Sequence, residues 1–253
     1  PEAPSSRKWL EKLAGRFAST GVAGYHISND IPQHIADLDD EKRRAGIADA
    51  KAWLTAASRI GVAAMRVNTA GPFIGPCPET VNGLPRNDLM EKHLEKAILS
   101  YRELAEYGET KGVWVGLHNH NHGCLTATGA DVLRILREVD HPYLTHILDC
   151  GQYIGSPGAS GQRGTADPAL DFYRSIAMTA PYALHVRAKV YRIASGVEEW
   201  LDYPRILGIL KDVGYNGWMS IVYEGQDAEP EATAVPKAAA YLRRVIQESG
   251  LGA

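Results

Sequence analysis

Ionisable and polar residues recur in this chain at the ends of short apolar runs. They are His26, Ser28 and Asn29; Arg66 and Asn68; His118, Asn119 and His120; Asp149 and Gln152; Arg187 and Lys189; and Glu224. Side chains alternate along a strand, so residues two apart share a face. By that rule Ser220, Val222 and Glu224 go together, and so do His185, Arg187 and Lys189. Ile147, Asp149 and Gly151 form a third set, Trp114, Gly116, His118 and His120 a fourth, and Arg66 with Asn68 a fifth. The alternate faces, Leu184-Val186-Ala188 and Met219-Ile221-Tyr223, are suited to packing under helices. Carboxylates and imidazoles beside fixed cations can move a proton and hold a developing oxyanion. Asp149 beside Arg187 also reads as a structural ion pair, and His146 or His185 as a hydrogen-bonded structural residue.

The run His118-Asn119-His120-Asn121-His122 invites a metal reading, because His118 and His120 share a face. Imidazole suits Zn, Mn, Co and Ni. His122 falls beyond the strand and reads as a loop residue.

Alternating helices and strands position these groups. An amphipathic helix is expected over 5–19, with Trp9, Leu10, Leu13 and Phe17 on one face. Strands are expected at 22–28, 63–68, 113–119, 144–149, 182–190 and 218–224. Helices between them cover about 39–59, from 87 on, 129–139, 168–179 and 204–213, with a last one at 231–248. Asp39 or Asp40 is a fitting N-cap for the second helix. Strict alternation implies βαβ units and a parallel sheet. Functional groups at nearly every strand end favour a (β/α)8 TIM barrel over an open sheet with one switch point. No GxGxxG follows a strand, so a dinucleotide site has no support. A barrel needs eight strands, and six are legible here. The expectation is one barrel domain over residues 1–253 whose first two strands are absent from this chain. Gly71–Arg86, with four Pro and three Gly, and the segment GSPGASGQRG at 155–164 are candidate lids.

Composition narrows the function classes. The chain has 253 residues, 45% of them hydrophobic, and a formal net charge of -3. That is enough for a sizeable core and lacks the basic surplus of a nucleic-acid binder. No apolar run reaches the roughly 18 residues of a membrane span. Three cysteines (Cys77, Cys124 and Cys150), without CxxC, do not make a disulfide framework, which points to a reducing, cytoplasmic setting.

The chain resembles the xylose-isomerase-like TIM barrels, the sugar phosphate isomerase/epimerase group that also holds endonuclease-IV-type enzymes. The segments that carry the likeness are Val115-Gly116-Leu117-His118-Asn119-His120, Leu148-Asp149-Cys150-Gly151-Gln152, Ala180 to Lys189, and Gly214 to Gly225. The last, GYxGxxSIxYEG, is the most specific. By this alignment the first strand present is the third of the family barrel. The resemblance implies a divalent metal (Mn, Co, Zn or Mg) held by Glu, Asp, His or Gln, and Glu from four successive strands. Here those positions are His118, Asp149, Arg187 and Val222, with Glu224 one step beyond Val222 on the same face. A guanidinium has no lone pair for a metal, so Arg187 is expected to take the cation's place.

The expected activity is sugar or keto-sugar isomerisation or epimerisation by proton abstraction next to a carbonyl. Alternatives are a keto-sugar lyase working by β-elimination and a non-catalytic sugar-binding or partner-subunit barrel. Asp149, Glu224, His120 and Lys189 are the catalytic candidates. Arg66, Asn68, Arg187, His185 and Gln152 are the substrate-binding ones. His118 and Asp149 are the residual metal ligands, and a site shifted onto His118, His120, Asp149 and Glu224 is a further option. The expected partner is a small carbohydrate, with no nucleic acid and no membrane; a homo-oligomer or a partner chain is admitted. Endonuclease activity would need several metal ions and a basic face, neither of which the sequence presents.

Overall fold

The computed structural model describes residues 6–28, 34–69, 80–81, 84–121, 125–159 and 163–251. The chain divides into two compact units, Pro1–His118 with Arg134–Thr145, and Asn119–Leu133 with His146–Ala253.

The first unit opens with α1 (Arg7–Thr20), capped by Ser6, whose hydroxyl accepts the Trp9 N–H at 3.2 Å. Gly21 ends the helix with φ 69°, a conformation glycine adopts without strain. Of the four apolar residues expected on its inner face, Leu10 alone is buried. Next come β1 (His26–Ile27), α2 (Asp40–Arg59) and β2 (Ala64–Val67). Asp39 caps α2 by accepting the Glu41 and Lys42 N–H groups. The strand expected from Val22 is cut to two residues, and Val22 is exposed. A two-stranded antiparallel ladder, β3 (Thr80–Val81) with β4 (Leu84–Pro85), lies within the first candidate lid; the rest of that lid, but for Arg86, is outside the described residues. Then follow α3 (Arg86–Lys111) and β5 (Trp114–His118). β1 pairs with β2 and β2 with β5, all parallel. Of the apolar side expected on α3, His93, Leu94, Ala97 and Ile98 are buried and Leu89 is half-buried. His93 Nδ1 lies 2.6 Å from the Ala36 carbonyl, which makes it a structural histidine.

The second unit takes in part of α4 (Gly129–Val139) and most of β6 (Leu144–Asp149). It continues through α5 (Phe172–Thr179), a single 3-10 turn at Ala180–Tyr182, β7 (Ala183–Val190), α6 (Tyr203–Asp212), β8 (Trp218–Tyr223) and α7 (Glu231–Ser249). α5 starts later than the periodicity suggests because Asp171 caps it, accepting the Arg174 N–H at 3.1 Å. The strands pair in parallel, β6 with β7 and β7 with β8. Their register sets Asp149 opposite Arg187, Arg187 opposite Ser220, and Lys189 opposite Val222. Val186, Ala188 and Val190 on the alternate face of β7 are completely buried. Register and alternation therefore bring His185, Arg187 and Lys189 to one face beside Asp149. No helix among the described residues is long and apolar enough to cross a membrane.

Candidate active site

Four charges form a chain at the C-terminal ends of β6, β7 and β8. Arg187 Nε lies 3.1 Å from Asp149 Oδ2. Lys189 Nζ lies 3.2 Å from the same oxygen and 2.6 Å from Glu224 Oε1. The side chain of Asp149 is fully buried, those of Lys189 and Arg187 are 1% and 11% exposed, and that of Glu224 is 43% exposed. Burying an ammonium is costly unless carboxylates surround it, and the two bridged by Lys189 meet that need. Gln152 Nε2 approaches Glu224 Oε2 at 3.5 Å. The backbone N–H of Glu224 donates to the Val190 carbonyl at 2.8 Å, which holds this residue beside β7 past the end of β8.

The supporting groups are as specific as the charges. Asn119 grips the Asp149 backbone at two points: its Oδ1 accepts the N–H at 2.7 Å and its Nδ2 donates to the carbonyl at 2.9 Å. The Gly151 N–H donates to Asp149 Oδ1 at 3.0 Å. A Cβ on Gly151 would come within 2.7 Å of Lys189 Cγ and 2.6 Å of the Tyr191 hydroxyl, so glycine leaves room for the lysine stem. Ser156 and Tyr191 donate their hydroxyls to the Gly151 carbonyl at 2.6 and 3.1 Å. Buried Glu198 orders the segment after β7: Oε2 accepts the Tyr191 and Arg192 N–H groups at 2.8 and 3.1 Å, and Oε1 accepts that of Trp200 at 3.0 Å. Burial raises the Glu198 pKa, and the backbone donors oppose the rise. At the rim, Arg163 donates to the Glu224 carbonyl at 2.9 Å. Arg192 lies over the Trp200 ring, 4.5 Å from its centroid.

The sequence candidates separate accordingly. Asp149, Gln152, Arg187, Lys189 and Glu224 come together. His185 is buried, and its Nε2 is 2.8 Å from Ser220 Oγ. Burial first, and the Arg187 charge second, push His185 from 6.5 down to about 4, so the ring is neutral at pH 7. His120 is half-buried, and its backbone N–H donates to Thr126 O at 3.2 Å and Oγ1 at 3.1 Å. Arg66, Asn68 and His118 belong to the other unit, at the ends of β2 and β5. His146 Nε2 is 3.2 Å from the Tyr153 hydroxyl, a structural contact. Cys150 is buried and burial raises its thiol pKa; Cys77, Cys124 and His122 lie outside the described residues. In the second candidate lid Gly155, Ser156, Pro157 and Ala159 are buried, Gly158 and Gly164 are half-buried and Arg163 is exposed.

The expectation for Arg187 is corrected in one respect. Arg187 reaches Asp149, but the bridge to Glu224 is made by Lys189. The unbranched lysine, one inward position further along β7, passes Gly151 to lie between the carboxylates. Tyr191, Glu198 and Arg163 were not among the candidates, because a tyrosine and a glutamate in a loop carry no periodic signal. Asn119 was visible as a polar strand-end residue, but its clamp on Asp149 was not.

This donor set does not fit a divalent metal. Two cations already lie within 3.2 Å of Asp149 Oδ2. The two carboxylates are already matched by these two cations, so a dication would find no net negative charge to hold it. No group of three or more His, Cys, Asp or Glu among the described residues is arranged to hold a metal ion.

Parallel strands alternating with helices, with the charged groups at the strand C-terminal ends, are the arrangement of a TIM-barrel protein. The chain belongs to the xylose isomerase-like TIM barrel family, which it matches over residues 2–245. No curated protein sequence matches it. Among solved structures it is similar to 3-keto-D-glucoside 4-epimerase, YcjR, from E. coli, with 16% identity, TM-score 0.71, and coverage of 92% of this chain and 84% of that one. It is also similar to D-psicose 3-epimerase from Clostridium cellulolyticum H10, solved with D-tagatose: 16% identity, TM-score 0.71, and 95% and 83% coverage. A third is a xylose isomerase-like TIM barrel protein from Mycobacterium smegmatis in complex with magnesium, with 18% identity, TM-score 0.67, and 98% and 80% coverage.

Proposed function

We propose that this protein is a keto-sugar isomerase or epimerase that moves a proton at the carbon next to a carbonyl. The observation that carries the reading is the Lys189 ammonium held between Asp149 and the half-exposed Glu224. Glu224 takes the proton because, of the two carboxylates held by Lys189, its own is the one that meets solvent. Arg187 orients the carbonyl oxygen and stabilises the negative charge that develops there as the C–H bond breaks. Lys189 fixes the Glu224 carboxylate and adds positive charge beside it. Asp149 is a positioning residue, with Oδ1 on the Gly151 N–H and Oδ2 between the two cations. The abstraction leaves an enediolate. A proton delivered from solvent to the opposite face of the same carbon gives an epimer, while return of the proton from Glu224 to the former carbonyl carbon, with the hydroxyl proton passing to the other enediol oxygen, gives the isomer.

The burial of Asp149 and Lys189 favours a second reading, a barrel that binds a sugar without turnover. One experiment separates the two. Chelator-treated protein is incubated with D-psicose, D-tagatose, D-fructose and a 3-keto-D-glucoside, and the products are resolved by chromatography. A new epimer or isomer supports the proposal. An α,β-unsaturated keto-sugar or its dicarbonyl tautomer, with release of the β-substituent, assigns β-elimination instead. Saturable binding without conversion assigns the binding barrel.

A further inference from the structure

We propose that the Lys189 ammonium is a tethered cation that stands in for a divalent metal between Asp149 and Glu224, so that these carboxylates take up a metal only when Lys189 is removed. Three observations carry this. First, Lys189 Nζ contacts both carboxylates, at 3.2 and 2.6 Å, although they follow different strands. Second, the lysine is buried along its whole length, and Gly151 leaves the space its stem occupies. A surface lysine that happened to lie near an acid would need no such passage. Third, the charges balance locally: Arg187 and Lys189 against Asp149 and Glu224. A dication would add two positive charges to a balanced group of which only Glu224 meets solvent, whereas deleting Lys189 leaves two carboxylates facing one guanidinium. A tethered ammonium also differs from a metal in function, since it cannot be stripped by chelator.

The inference stands on these contacts and not on the reaction proposed above, so its test is read without substrate. Chelator-treated protein is titrated with Mn(II), and binding is followed by calorimetry and by the loss of the free-ion paramagnetic resonance signal. The wild-type chain is expected to show no site that depends on Glu224. Lys189→Ala is expected to gain a site near one equivalent, at least tenfold tighter than any wild-type uptake, and adding Glu224→Gln should abolish it. Wild-type protein that binds one Mn(II), lost on Glu224→Gln alone, would overturn the proposal. A folded Lys189→Ala that gains no site would do the same. Should Lys189→Ala be isolated unfolded, circular dichroism with and without Mn(II) decides. Recovery of the native spectrum with the ion supports the tethered-cation role, and no recovery contradicts it. A substrate panel without turnover would sink the enzymatic reading and leave these outcomes unaffected.

Discussion

The ammonium of Lys189 lies 2.6 Å from Glu224 Oε1, and the two ends of this pair sit in different environments: the lysine side chain is 1% exposed and the glutamate 43%. The buried end is held by Asp149 as well, so its place is fixed by the fold. The exposed end is free to meet a ligand. A fixed cation beside an accessible carboxylate is one arrangement that can carry the proposed proton transfer next to a carbonyl.

Glu224→Gln tests the exposed end. The amide keeps the shape but cannot accept the proton, and Lys189 retains Asp149 as its partner. Turnover should fall by roughly 10²–10⁴-fold, the usual loss when a general base is removed, while the thermal midpoint falls less than in Asp149→Asn, because the exposed amide oxygen still accepts from Lys189. Calorimetry and progress curves on one preparation check both halves. A variant that keeps full activity would remove Glu224 from the mechanism.

Asp149→Asn tests the buried end. The substitution leaves Arg187 and Lys189 beside a neutral amide. Breaking a buried charge pair from one side costs about 3–5 kcal/mol, which should lower the thermal midpoint by on the order of 10 °C. Arg187→Met added to it should cost less than the two single effects combined, because the pair shares one interaction. Additive losses would show that the two residues are not coupled.

Much of this was legible in the sequence. Period-two alternation set Arg187 and Lys189 on one face, and strand spacing set Asp149 and Glu224 at the ends of the strands on either side of β7. α4 and β6 fall where the periodicity places them. What could not be read was which cation bridges. That depends on the β6–β7 register and on Gly151 leaving room for the lysine stem, and both are tertiary facts. The two-residue β1 escaped for a similar reason, since local propensity over 22–28 does not say how far pairing extends. The anchoring of the segment after β7 on Glu198 was invisible because its partners are backbone N–H groups, which any residue supplies.

His185 makes stability depend on pH. In the unfolded chain its imidazole takes a proton near 6.5, but in the fold burial and Arg187 delay this to about 4. The lowered value means the contribution is complete above 6.5 and is lost as pH falls toward 4, by on the order of 3 kcal/mol. Urea midpoints at about pH 7 and about pH 4.5, compared between wild type and His185→Gln, check this. The wild type should lose more stability than the variant over that interval, and equal losses would contradict the assignment.

Glu198→Ala should loosen the segment that carries Tyr191, Arg192 and Trp200. Three backbone N–H groups lose their acceptor, at about 1–3 kcal/mol for each that stays buried and unpaired. Faster amide exchange at these positions, with a thermal midpoint lower by several degrees, is the expected result. Unchanged protection would show that the segment is held by other contacts.

Solvent isotope exchange tests the central claim most directly. The chelator-treated protein is incubated in D₂O with D-psicose, D-tagatose, D-fructose and the 3-keto-D-glucoside, and each sugar is followed by proton NMR. The expected result is deuterium at the carbon next to the carbonyl of at least one of them with the wild-type chain, and none with Glu224→Gln. Protein that binds these sugars yet leaves every such C–H bond intact would contradict proton abstraction and assign the barrel to binding alone.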